Sequence, residues 1–339
     1  MHIPDGYLSP STCAVAAGAM TPVWFTAGRR MRKVVATRYA PLVALAAAYC
    51  FCVMMFNVPI PDGTTAHAVG GVLVAVLLGP WAAVIAVSVA LAIQALFFGD
   101  GGVLAFGANA LNMGFVMPFV GYAVYLVFAR HSALDSRRRA FAAGAGAYVG
   151  LNAAALFTAV ELGIQPTLFH TASGTPLYSP FRMTQTIPAL ALAHLTIAGL
   201  VEFVLTFGVI SYLQRANAPL LRLNNRSVPE GGDGWVGRSS RRRRRVLVIF
   251  GIGAVITPLG LLAPGSAFGE RAPHDAGFWH HALLSNYGFA HDSHPIVGYI
   301  VSALVGMAVI AAVAFGVVTL VSRVRMSRAR VSRVRSSSR

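Results

Sequence analysis

The strongest constraint on this chain is a succession of apolar runs. Most are close to the roughly 20 residues a helix needs to cross about 30 Å of hydrocarbon. Read in windows of about 19 residues, they fall at 9–28, 39–57, 64–79, 81–98, 104–129, 140–163, 184–213, 246–264 and 295–322. The third and fourth are divided only by the Gly79-Pro80 step. The expected fold is therefore an all-α, polytopic membrane helical bundle of about nine transmembrane helices. Composition agrees: 56% of the 339 residues are hydrophobic and 11% are charged, against roughly a quarter charged in a soluble domain.

The remaining charge is lopsided, with 27 Lys and Arg against 11 Asp and Glu, a net +16. The cations cluster after the first span (Arg29, Arg30, Arg32, Lys33, Arg38), the fifth (Arg130, Arg137 to Arg139), the seventh (Arg215 to Arg245) and the ninth (Arg323 to Arg339). The alternate connectors hold Asp62, Asp100, Glu161, Glu270, Asp275 and Asp292 instead. This alternation satisfies the positive-inside rule with the N-terminus outside and the C-terminus in the cytoplasm. The basic excess is a topology signal. It lacks the aromatic interleaving of a nucleic-acid surface, so no nucleic acid is expected as a partner, whereas anionic membrane lipids are generic neighbours of such clusters. Cys13, Cys50 and Cys52 all lie in expected spans and read as core residues.

The opening Met1-His2-Ile3-Pro4-Asp5-Gly6 has no positive region ahead of its apolar run, so it does not read as a signal peptide. The bulky His2 should protect Met1 from removal. That leaves an α-amine, a peptide nitrogen and an imidazole on consecutive residues, able to close two fused chelate rings on one ion. Planar nitrogen sets of this kind suit nickel or copper, and Pro4-Asp5-Gly6 supplies a turn that folds the segment back. Of the ten histidines only His67 and His194 fall within expected spans. His67 begins the third span, level with Met1 at the outer face, and is the candidate fourth donor.

At these residues the chain resembles the CbiM/NikM family, the nickel/cobalt-binding S components of energy-coupling-factor ABC transporters. Matching stretches include Leu78-Gly79-Pro80-Trp81-Ala82, Gln94 to Gly102, Gly107 to Gly114, Gly174 to Tyr178 and Ala193 to Glu202. The resemblance implies a metal site on Met1 (amine), His2 (main-chain nitrogen and imidazole) and His67 (imidazole). It further implies Ni2+ or Co2+ as transported substrate, with no catalytic cofactor. The implied partners are a transmembrane coupling (T) subunit and ATPase (A) subunits in the cell inner (cytoplasmic) membrane. The expected division is a seven-helix metal-binding domain (1–215), a basic cytoplasmic linker (216–245), a two-helix region resembling a fused N-type component (246–322) and a basic tail (323–339).

Other residues are read more openly. His194 and Glu202, eight apart on one helix, lie near one face; they suit a supporting shell, a conduit, a partner contact or simple packing. Asn109 and Asn112 suit interhelical hydrogen bonds. Ala14, Gly18, Ala44 and Ala48 permit close helix approach. His274, His280, His281, His291 and His294, with Asp275 and Asp292, suggest a metal-collecting outer loop.

The sequence carries no Gly-x-x-x-x-Gly-Lys-Ser/Thr loop and Lys33 is its one lysine, so ATP hydrolysis would need separate chains. No Gly-x-Ser-x-Gly or His-Glu-x-x-His pattern supports an enzyme. A stand-alone metal channel or secondary carrier remains the alternative. It would normally string ionisable groups along a path near the midplane.

Overall fold

The structure is a computed structural model. It describes residues 1–35, 40–56, 58–60, 64–216, 218–224, 282–284, 287–289 and 294–337. The expected span at 246–264, the linker from 225 onward, and His274, His280, His281 and His291 lie outside the described residues.

Helices dominate. They are α1 (Pro10–Val35), α2 (Ala40–Met54), α3 (Gly71–Leu78), α4 (Pro80–Phe98), α5 (Phe106–Ala129), α6 (Arg137–Leu168), α7 (Met183–Ala216) and α8 (Pro295–Ser337). Among the described residues α4 to α7 and the Pro295–Gly316 part of α8 are long and apolar enough to cross a membrane, and α2 is a shorter apolar helix.

The expected third span, 64–79, differs. Its first residues form β2 (Thr64–Ala66), paired antiparallel with β1 (Val58–Ile60), and helix begins only at Gly71. Eight residues at 1.5 Å each give α3 a length of about 12 Å, well short of a bilayer. Its residues Gly71 to Val76 are all buried, as expected of a helix that is apolar all round. Gly79 leaves the helical region at φ 93°, and Pro80 then opens α4 at a position where its missing N–H costs nothing.

Bundle interior and surface follow membrane logic. Buried positions are rich in Ala, including Ala82, Ala83, Ala143, Ala147 and Ala154, whereas Phe25, Val127, Phe141, Leu192, Val204 and Phe315 are exposed. Helices α5 and α6 meet through small residues: a Cβ added to Gly146 would stand 2.4 Å from the Gly121 carbonyl oxygen. Glycine is what lets these two backbones touch.

Wider π-type turns interrupt three long helices, at Gln94–Phe98, Ala110–Val116 and His194–Ala198. Such turns often mark functional positions. Here they carry Gln94, Asn112 and His194.

Candidate metal centre

Residues 1–9 run into the bundle instead of trailing from it: Met1, His2, Ile3, Tyr7 and Leu8 are all buried. Threading a backbone through an apolar interior demands a partner for each polar group, and side chains from distant helices supply them. Asn109 of α5 grips Ile3 as a second strand would, accepting from its N–H at 2.8 Å and donating to its carbonyl at 3.0 Å. The Gly102 N–H donates to the same carbonyl at 2.8 Å. Asp5 accepts from the N–H groups of Val103, Leu104 and Ala105 at 3.1, 2.9 and 3.2 Å. A Cβ at Gly102 would fall 2.0 Å from that carboxylate, so only glycine fits there. Ser9 ends the segment by accepting from Thr12 N–H at 3.1 Å, ahead of Pro10 at the start of α1.

This path delivers Met1 and His2 beside His67. The two imidazoles are each 2% exposed, and their ring centres are 4.5 Å apart at an interplanar angle of 33°. Two imidazoles bound side by side to one ion through bonds of about 2.0 Å would have ring centres about 4.5 Å apart.

His67 Nδ1 bonds the Ala68 carbonyl at 3.0 Å, and its Nε2 is buried without a hydrogen-bond partner. A nitrogen spent as donor on a carbonyl leaves the other as a lone pair, the arrangement usual in metal-binding histidines. Burial, then the N-terminal amine and His2, hold the His67 pKa well below 6.5, against the bond to Ala68. Burial likewise lowers the Met1 amine from 8.0 to about 4, against the pull of Asp100. Both groups are therefore uncharged at neutral pH, the form in which nitrogen binds a metal.

Two carboxylates, one partly buried and one fully buried, brace the two histidines. Asp100 Oδ1 accepts from His2 Nδ1 at 2.8 Å, leaving His2 Nε2 unpartnered. Burial alone would raise the Asp100 pKa, but the attraction of His2 and hydrogen bonds from His2 and Tyr287 outweigh it and lower it. Glu202 of α7 accepts from Val69 N–H at 2.7 Å and Gly70 N–H at 3.0 Å, pinning the loop that carries His67.

Among the residues left open in the sequence, Glu202 is thus a loop anchor and Asn109 a clamp on the N-terminal segment. Asn112 makes interhelical bonds to Thr158 and Glu161, at 3.1 and 2.6 Å. His194 repeats the His67 pattern: its Nδ1 bonds Leu190 O at 2.8 Å and its buried Nε2 has no partner. Sequence reasoning gave Asp100 and Tyr287 no part in the site. The signal for Asp100 was a carboxylate inside the glycine-rich run Gly99-Asp100-Gly101-Gly102; Tyr287 had none. His294 is exposed.

No group of three or more His, Cys, Asp or Glu side chains among the described residues is disposed to hold a metal. One detail matters for the chemistry. A chelate ring through the His2 peptide nitrogen can close only on Nδ1 of the same residue, and that is the nitrogen held by Asp100.

A helical membrane bundle with buried, uncharged nitrogen donors fits a carrier of transition-metal ions, and comparison with known proteins defines that class. Residues 2–220 match the CbiM family, described as the cobalt uptake substrate-specific transmembrane region. The chain is 47% identical to the fused nickel transport protein NikMN of Rhodobacter capsulatus over 92% of its own length and 95% of the relative's. It is 45% identical to the probable fused nickel transport protein LarMN of Lactiplantibacillus plantarum, over 90% and 93%. A crystal structure of a truncated transition metal transporter superposes with a TM-score of 0.61 at 54% identity, covering 63% of this chain and 98% of that one. The protein is a nickel/cobalt transport membrane protein, and its relatives are transporters and not enzymes. It belongs to the CbiM family.

Proposed function

We propose that this chain is the substrate-capturing subunit of an energy-coupling-factor importer and that it binds Ni2+ or Co2+ through the Met1 amine, the His2 main-chain nitrogen and imidazole, and the His67 imidazole. The observation that carries the reading is the buried pair of imidazoles at 4.5 Å, next to an N-terminal amine kept neutral by burial. Four nitrogens in a plane favour a d8 ion such as Ni2+ over oxygen-seeking Mg2+ and Ca2+. Loading turns the His2 ring away from Asp100 so that Nδ1 can close the second chelate ring.

In this reading the chain crosses the cytoplasmic membrane several times with its N-terminus outside, and the 64–79 segment packs inside the bundle without crossing it. A separate coupling subunit and separate ATPases drive release, since the sequence supplies no phosphate-binding loop. The two C-terminal spans within 246–322 resemble a fused N-type component, joined to the metal-binding domain through the basic linker 216–245. A stand-alone channel or secondary carrier fits less well, because the candidate donors gather in one buried cluster and not along a conduit.

The deciding experiment measures nickel retained by the purified chain, with His67→Ala and with one residue inserted between Met1 and His2. The insertion breaks the fused rings while preserving composition. Both variants should lose retention by more than 100-fold, and full retention in the insertion variant would sink the proposed site.

A further inference from the structure

Among the described residues, the C-terminal region reaches the site through the side chain of Tyr287. Tyr287 is 3% exposed and stacks on Phe98 at the end of α4, with centroids 5.1 Å apart and an angle of 24°. It also packs against Phe51 and Tyr299. Leu284 N–H donates to the Phe97 carbonyl at 3.0 Å, and Ser302 Oγ of α8 donates to the Tyr287 carbonyl at 3.0 Å. The tyrosine is held at φ 61°, a left-handed conformation that a bulky residue rarely adopts. Such backbone persists where surrounding contacts impose it.

These contacts aim its hydroxyl. Gln94 Nε2 donates to the Tyr287 oxygen at 2.8 Å, and the hydroxyl in turn donates to Asp100 Oδ2. The other oxygen of Asp100 takes His2 Nδ1, as described. A continuous chain of hydrogen bonds therefore runs from the C-terminal region to the ring nitrogen needed for chelation. With Tyr287 in place, both carboxylate oxygens are engaged and the His2 ring is held by its chelating edge. Without the hydroxyl, Oδ2 loses its short hydrogen bond while the longer one from Gln94 Nε2 at 3.4 Å stays, and the carboxylate is less firmly fixed in the orientation that holds the ring.

We infer that Tyr287 is a positioning residue that acts through Asp100 as a latch on His2, so that the C-terminal region sets how fast a metal ion is locked in. The inference rests on the proposed ligand set of Met1, His2 and His67. It assigns to the C-terminal region a task at the site itself, beyond covering the bundle.

The test follows Ni2+ loading by the purified full chain over time. Tyr287→Phe keeps the stacked ring and removes only the hydroxyl; it should load about tenfold faster, the equivalent of one lost hydrogen bond, and hold nickel at least as tightly as the wild type. Asp100→Asn, which weakens the latch from the other side, should also load faster. Nitrogen NMR of labelled histidine gives a readout that a merely structural role would not move. Metal-free wild type should carry the His2 proton on Nδ1, and Tyr287→Phe should broaden or split the His2 ring signals as the less firmly held ring samples more than one orientation. Loading by Tyr287→Phe at or below the wild-type rate overturns the latch, as does an Nε2-protonated His2 in the metal-free wild type. If Tyr287→Phe fails to fold, the Asp100→Asn rate and the wild-type tautomer decide. Nickel retention unaffected by His67→Ala would instead sink the ligand set, whatever the rates.

Discussion

His2 and His67 are buried equally, yet the two sides of the site are built differently. On the His67 side everything holding the ring is backbone or is fixed to backbone. Its Nδ1 bonds the next carbonyl, and the loop hangs on Glu202, whose oxygens are spent on two N–H groups. On the His2 side the ring is held by one carboxylate that it shares with a tyrosine 187 positions away in sequence. The first arrangement ties the ring to main chain at every point, whereas the second depends on side chains that turn about single bonds, so a change at Asp100 or Tyr287 acts on the His2 ring alone.

Glu202→Ala should break the fixed side most severely. It strands two buried N–H groups at about 1–3 kcal/mol each and frees the His67 loop. Nickel retention should fall at least 100-fold with a lower melting temperature, and wild-type retention would remove Glu202 as the anchor. Asn109→Ala should cost about 1–2 kcal/mol and loosen the N-terminal segment, read as faster proteolysis of residues 1–9 in the metal-free protein.

Acid should sharpen the comparison. Metal binding releases ligand protons, so nickel retained at pH 5 should be lower than at pH 7.5; equal retention counts against nitrogen ligation. The metal-free fold has its own dependence. The Met1 amine is lowered from 8.0 to about 4 on folding, so between those values the unfolded chain binds more protons. Stability should be unaffected by this amine above pH 8, fall as pH drops through the interval, and reach its full deficit below about 4. A melting temperature that rises over that interval on acidification would show the amine is not buried as described. The smallest effect is expected at His194. His194→Phe keeps the ring volume and removes a nitrogen outside the proposed ligand set, so nickel retention should change less than about threefold, whereas a loss like that of His67→Ala would make it a ligand.

Met1-His2 was legible as a candidate chelating dipeptide because its chemistry is local. Adjacent residues fix their own ring sizes, and Pro4-Asp5-Gly6 reverses the chain whatever surrounds it. Asp100, Glu202 and Tyr287 were illegible for the opposite reason: each acts on a residue about a hundred or more positions away, and nothing in the run around it names the partner. Asn109 was read as an interhelical donor and is instead a clamp on Ile3, since an amide looks the same in sequence whichever backbone it meets. The short α3 escaped for a physical reason too. Thr64 to Ala66 extend the apolar run, but strand pairing with Val58 to Ile60 competes for them.

By itself the sequence determined that the chain is a membrane bundle and that Met1, His2 and His67 are its metal-binding candidates. Apolar length and adjacent nitrogens are properties of the covalent chain. Only the tertiary structure decided which ring nitrogen is held, by which carboxylate, and that the C-terminal region reaches that carboxylate. A hydrogen bond between distant segments exists only once both have been packed.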